Sequence, residues 1–186
     1  MADFASFPDL ANFASFKEAF HCTMQHEDPH LSGVVTTDAG GRTRFGIAQK
    51  FHPDLAESFF TGNLEDALAL AEEMEERDYW RPMRLGEIAS QSVASKLFDM
   101  GVNMGIHQAG HLAQRAANAL LQSAGLPHLE EDGVIGSATI AALNSADPKH
   151  LHEMLCQLSA EFYRHVAANN PAQAVNLAGW LKRAAA

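Results

Sequence analysis

Apolar residues return every three or four positions along most of this 186-residue chain. That period leaves room for little except amphipathic helices packed on one another. Phe13, Phe16, Phe20, Thr23 and Met24 fall on one face of a first helix. Leu64, Ala67, Leu68, Ala71 and Met74 mark a second. Its outer face carries Glu65, Asp66, Glu72, Glu73, Glu75 and Glu76 and reads as solvated surface. Ala94, Leu97, Phe98, Gly101, Val102 and Gly105 form a helix with two small positions for close packing. Another runs from about residue 107 to 123. Ser137 caps a short helix ending near Asn144. Asp147-Pro148 joins an N-cap to a proline at the first helical position, and opens a helix with Leu151, Leu155, Leu158, Phe162 and Val166 inside. Asn170-Pro171 repeats that signal before a last helix.

The period fails once, over residues 28–46, where Pro29, Gly33, Gly40, Gly41 and Gly46 gather. Val34–Thr37 and Thr43–Phe45 suit short strands flanking an Asp38-Ala39-Gly40-Gly41 turn. The expected fold is therefore mainly α, with a small β-hairpin near residues 33–46. Without a linker or internal repeat, residues 1–186 read as one compact unit. Hydrophobic residues make up 47% of the chain and charged residues 19%, enough apolar side chain to bury a core. The net charge of −10 makes nucleic acid a poor partner, because phosphate binding needs a basic face. No apolar run reaches the roughly 18 residues of a membrane span, so stable membrane insertion is not expected. Cys22 and Cys156 lie too far apart to read as a metal-type pair. Met1-Ala2-Asp3-Phe4 lacks the basic start of a secretory signal. A role outside the cytoplasm would then require export by another route, such as a holin or secretion machinery.

Three groups of residues compete for the chemistry. His107 and His111 stand four apart on a helix, as zinc ligands do, but Gln108 sits where a zinc protease carries its general base, and Gln cannot activate water. His26-Glu27-Asp28-Pro29-His30 is rich in metal-capable side chains, but no spaced partner set follows it. If the first helix runs far enough, Glu27 continues the stripe of Phe16 and Phe20. Desolvation there would favour its protonated form; if the helix ends earlier, Glu27 lies in water. The third group adds Asp38 and Thr43, on either side of the glycine turn, facing Glu27 across a cleft. One acid plus a second polar group that holds water or stabilises charge is what glycoside hydrolysis requires.

The order Glu27, then Asp38-Ala39-Gly40-Gly41-Arg42-Thr43-Arg44-Phe45-Gly46-Ile47, then Asp78-Tyr79-Trp80 resembles glycoside hydrolase family 108. Leu97 to Gly105 resembles that family's Phe-Asp-x-x-Val-Asn-x-Gly segment. Asp132-Gly133-Val134-Ile135-Gly136, Thr139 and Gly179 to Arg183 resemble the peptidoglycan-binding-like segment that accompanies it. The resemblance spans residues 17–183. It implies a lysozyme-like fold, with a muramidase lobe over 12–95 and a helical peptidoglycan-binding-like lobe over 96–186. It also implies an N-acetylmuramidase needing no cofactor or metal, which acts on peptidoglycan glycan strands at the cell wall or periplasm. Glu27 would be the general acid, with Asp38 and Thr43 positioning water or stabilising charge. Phe45, Tyr79 and Trp80 would stack on sugar faces, and Asp99 and Asn103 would hydrogen-bond the glycan or bridge the lobes. Trp180 and Arg183 read as packing and surface groups. The family's Glu-Gly-Gly-Tyr is replaced here by Glu27-Asp28-Pro29-His30, about two residues longer before Asp38. That altered flank admits a second reading, a non-catalytic peptidoglycan-binding or secretion-accessory protein. Arg42, Arg44, Arg77, Arg81 and Arg84 either hold the acidic groups of peptidoglycan or pair with neighbouring glutamates. Their position leads us to expect a locally neutral or basic cleft on an acidic protein.

Overall fold

Helix α1 (Phe16–Glu27) starts at Phe16, so Phe13 precedes it and is partly exposed. The computed structural model of the protein describes residues 13–38 and 41–186; Ala39, Gly40 and the side chain of Asp38 lie outside the described residues, as does the N-terminal segment. Ala19, Phe20, Thr23 and Met24 are the buried face of α1. Strands β1 (Thr36–Asp38), β2 (Gly41–Arg44) and β3 (Ile47–Ala48) form an antiparallel sheet in that order. Thr36 pairs with Thr43, and Arg44 with Ile47. The hairpin expected near residues 33–46 thus exists, with a third strand added. Its first strand begins at Thr36, because Val34 is largely exposed and has no alternating partner to bury.

Helices α2 (Glu57–Thr61) and α3 (Leu64–Glu75) follow. Asn63 caps α3 by accepting from the Asp66 amide at 2.9 Å. Ala67, Ala71, Met74 and Glu75 are the buried residues of α3, and one π-helical turn (Glu76–Trp80) continues it. Helix α4 (Gln91–Met104) packs against α1, α5 (Ile106–Ser123) and α7 (Pro148–Asn169). The boundary expected at residue 95 therefore falls inside α4. Phe16, Trp80 and Phe98 meet edge-on with ring centroids 5.6–6.0 Å apart, which fastens α1 and the π turn to α4.

In the C-terminal half, Gly110 of α5 meets the 132–136 loop so closely that a Cβ there would lie 2.2 Å from the Gly133 carbonyl oxygen. Gln114 completes the seam, donating to Asp132 and Val134 and accepting from the Gly133 amide at 2.8 Å. Helix α6 (Ser137–Ser145) begins at Ser137, but that side chain does not cap it. Asp147 does cap α7, accepting from the His150 amide at 2.9 Å. Asn170-Pro171 opens a 3-10 segment (Pro171–Asn176) before α8 (Leu177–Ala184). No helix among the described residues is long and apolar enough to cross a membrane.

Candidate active site

Glu27 is the last residue of α1, and its flank explains why the helix stops there. The Asp28 amide closes the helix onto the Met24 carbonyl, while the Asp28 carboxylate accepts from the Ser32 hydroxyl at 2.9 Å and the Gly33 amide at 2.7 Å. Burial opposes the charge on Asp28, but these hydrogen bonds outweigh it and hold the carboxyl below its ordinary range. Arg44, itself buried, ties the far side of the loop by donating to the carbonyls of Gly33 and Phe59 at 2.9 and 2.6 Å. The flank that replaces Glu-Gly-Gly-Tyr is thus a closed loop with its own fastening.

The β2–β3 connection sets the opposite wall. Phe45 and Gly46 both have positive φ, +50° and +77°, as a two-residue type I′ hairpin requires. Phe45 accepts that strain because its ring is buried. Gly46 faces Glu27 so closely that a Cβ would lie 3.4 Å from the carboxyl carbon. The glycine therefore grants close approach to the glutamate side chain itself.

Beside Gly46 lies a groove of about 190 Å³, lined among others by Phe51, His52, Glu75, Asp78, Tyr79 and Val102. Two of these residues change the reading of the site. Phe51 is 74% exposed at the lip. Glu75, expected on the solvated face of α3, is only 3% exposed, and its Oε2 has no hydrogen-bond partner among the described residues. Desolvation first, then the nearby charges of Glu27 and Asp99, push the Glu75 carboxyl up to about 8 against the opposing pull of Arg183. The apolar stripe contains the signal for this, since Glu75 stands four residues after buried Ala71. Reading residues 72–76 as one acidic run hides it.

Behind Glu27 sits a charge network that no local motif announces. Arg183 of α8 is 7% exposed. It donates from Nη1 to Glu27 at 2.5 Å and from Nε to Asp99 at 2.8 Å, and its Nη2 has no partner among the described residues. Burial alone would lower the Arg183 pKa, but the carboxyls of Asp99 and Glu27 raise it. Lys96 holds the end of α8 by donating to the carbonyls of Arg183 and Ala184, both at 2.9 Å. Arg183 is therefore an interior group and not the surface group expected.

Other site residues separate along the same line. Tyr79 lines the groove, but Phe45 and Trp80 are buried at 2% and 6% exposure and present no face to a sugar. Asp99 accepts from Arg183 of α8, and Asn103 accepts from the Tyr163 hydroxyl of α7 at 2.8 Å. Trp180 stacks on Tyr163, as a packing residue should. Thr43 sits half-buried on β2; no hydrogen bond among the described residues links it to Glu27. The arginines pair with neighbouring acids, Arg42 with Glu57, Arg77 with Asp78, Arg81 with Glu76 and Arg84 with Glu87. The acids near the site are met by cations, Glu27 by Arg183 and Asp78 by Arg77, while the Glu75 Oε2 has no partner among the described residues. His107 lies against Gly133, and the His111 Nδ1 is 3.9 Å from Glu131.

A helix ending in a glutamate, a small sheet beside it and packed helices behind it make a mainly helical, lysozyme-like fold. Residues 23–105 match the family model described as Glycosyl hydrolase 108, and residues 108–185 match one described as Predicted Peptidoglycan domain. The first segment of the chain is thus similar to glycosyl hydrolase family 108, and the segment similar to the peptidoglycan domain follows it in order. The match indicates a peptidoglycan hydrolase at the level of the family. Among solved structures, one titled "Structure of Brucella abortus SagA" has a similar fold, with a TM-score of 0.64, 19% identity and 91% of each chain covered. No curated protein matches the chain.

Proposed function

We propose that the chain is an N-acetylmuramidase that hydrolyses the β-1,4 bond between N-acetylmuramic acid and N-acetylglucosamine, with Glu27 protonating the glycosidic oxygen. The observation that carries this reading is the position of Glu27, held at the end of α1 against Gly46, which itself lines a groove together with Phe51 and Tyr79. The strand enters along Phe51 and Tyr79, whose faces suit sugar rings. The Glu27 proton passes to the bridging oxygen as the anomeric C–O bond breaks, and water adds to the anomeric carbon. Asp38 and Thr43, on the paired strands β1 and β2, hold that water or stabilise the positive charge.

Purified peptidoglycan incubated with the protein gains new reducing ends at N-acetylmuramic acid. The Glu27→Gln variant, which keeps the shape and loses the proton, is slower by on the order of 10²-fold or more. Equal rates in the two proteins would sink the proposal.

One observation favours a second reading, a wall-binding protein without catalysis: the Glu27 carboxyl is tied to the Arg183 guanidinium at 2.5 Å. This reading expects sedimentation with cell walls and no release of reducing ends. Robust cleavage by the wild-type chain removes it.

A further inference from the structure

Lys96 is a buried cation without an anion. It belongs to α4, is 4% exposed, and its ammonium donates to two neutral groups, the carbonyls of Arg183 and Ala184. No carboxylate among the described residues pairs with it; Asp99, three residues on, is held by Arg183 at 2.8 Å. An uncompensated charge inside a protein is costly. Burial accordingly lowers the Lys96 pKa, against the pull of the Cys156 thiol and of Asp99.

Lys96 also lines a cavity of about 590 Å³, which shares no lining residue with the groove at Gly46. Its walls come from α1, α4, α7 and the end of α8. Three of the lining side chains are more than nine-tenths buried: Lys96, Asp99 and Arg183. Two are cations and one an anion, and the Arg183 Nη2 has no partner among the described residues. Ser95, on the same wall, accepts from Gln91 at 2.9 Å and keeps its hydroxyl proton to give. His26 and His152 are half-buried beside these groups, and the exposed Ala186 backbone lies against His152. Elsewhere the wall is mostly carbon.

The geometry points to a second ligand site in this cavity, one that takes a monocarboxylate carried on a short apolar body. The carboxylate gives Lys96 the counter-charge it lacks and accepts from the Ser95 hydroxyl, while the body covers the carbon wall. One negative charge is what the wall lacks, because Asp99 already answers Arg183. A dianion such as phosphate would bring a charge in excess against Asp99, and a cation would meet Lys96. The volume falls within the roughly 300–1,000 Å³ that holds small organic ligands. The site stands whether or not the chain cleaves glycan. Its occupant would lie against Arg183, the side chain that also holds Glu27.

The test titrates two carboxylates into the full chain by calorimetry at pH 7, hexanoate and N-acetyl-alanyl-alanine, beside hexanol and inorganic phosphate. A carboxylate should bind once per chain, at least about tenfold more tightly than hexanol or phosphate. The tighter of the two carboxylates tells an acyl body from a peptide end. Cys22, exposed and on the cavity wall, locates the ligand: its alkylation by iodoacetamide, read by mass spectrometry, should slow when a carboxylate is bound. Cys22→Trp places a bulky ring at the cavity and should weaken binding at least about tenfold. Lys96→Met keeps the stem and removes the charge; it should weaken the carboxylate at least about tenfold and leave hexanol unchanged. Melting curves establish that each variant folds. If Lys96→Met unfolds, Ser95→Ala, which removes only a hydroxyl, should weaken the carboxylate about threefold or more. Hexanol or phosphate bound as tightly as the carboxylates overturns the proposal. So does the absence of binding by either carboxylate, or full binding in folded Cys22→Trp.

Discussion

Arg183 decides how two carboxyls are held, and removing it separates them. In Arg183→Ala, Asp99 is left buried with its strongest partner gone, whereas Glu27, about one quarter exposed at its side chain, turns to water. Breaking a buried pair from one side costs about 3–5 kcal/mol, so denaturant unfolding should show a loss of that size. Lysine at 183 restores the charge but not the fork that reaches Asp99 and Glu27 together, and should recover only part of the loss. Glu75 gives the opposite sign with pH. Its folded pKa, about 8, lies above its ordinary 4.5. The folded protein therefore keeps a proton that the unfolded chain has released, and stability falls as pH rises through that window. The fall is on the order of 5 kcal/mol for a shift this large. Melting temperatures should thus converge for wild type and Glu75→Gln near pH 5 and favour the variant near pH 9. The sequence contained Glu75 at helical spacing from Ala71, yet a run of glutamates looks like a surface. It contained nothing that ties Arg183 to Glu27, since pairing across 156 positions has no local pattern.

The elements themselves were largely legible. Asp147-Pro148 starts a helix because the side chain and the missing N–H each satisfy a known demand of a helix N-terminus, and α7 starts there. The glycines between residues 33 and 46 announce a β turn, but not which wall the turn approaches. Gly46 answers that by lying on Glu27. Alanine at 46 needs a left-handed conformation that it adopts poorly, and its methyl presses on the carboxyl. We expect at least a tenfold loss of activity with a stability loss near ~1 kcal/mol. At Gly110 the balance reverses. A methyl there would sit on the Gly133 carbonyl, so α5 must back away from the 132–136 loop. Gly110→Ala should lower the melting temperature with a cost of roughly 2 kcal/mol or more, and any activity loss should follow unfolding. The aromatic residues were the least legible. Phe45, Trp80 and Phe51 look alike in a sequence, and only their burial shows that the first two pack and the third lines the groove.

At the scale of the molecule, α4 is the shared wall. It packs on α1 toward the site and on α5 and α7 behind it, so the boundary between the two matched families falls at its end and not through a linker. A chain cut after Gly105 would expose α4 and leave Asp99 without its arginine. It should lack the near-ultraviolet dichroism of packed aromatics while retaining helix. Intact, α7 and α8 are joined to α4 by Tyr163 to Asn103 and by Arg183 to Asp99.

The contact between Arg183 and Glu27 also sets a clock. Closing so long a loop is entropically slow, and helices form far sooner than contacts between distant parts of a chain. During refolding, far-ultraviolet dichroism should recover before hydrolysis does, and the interval between the two signals should measure the docking of α8.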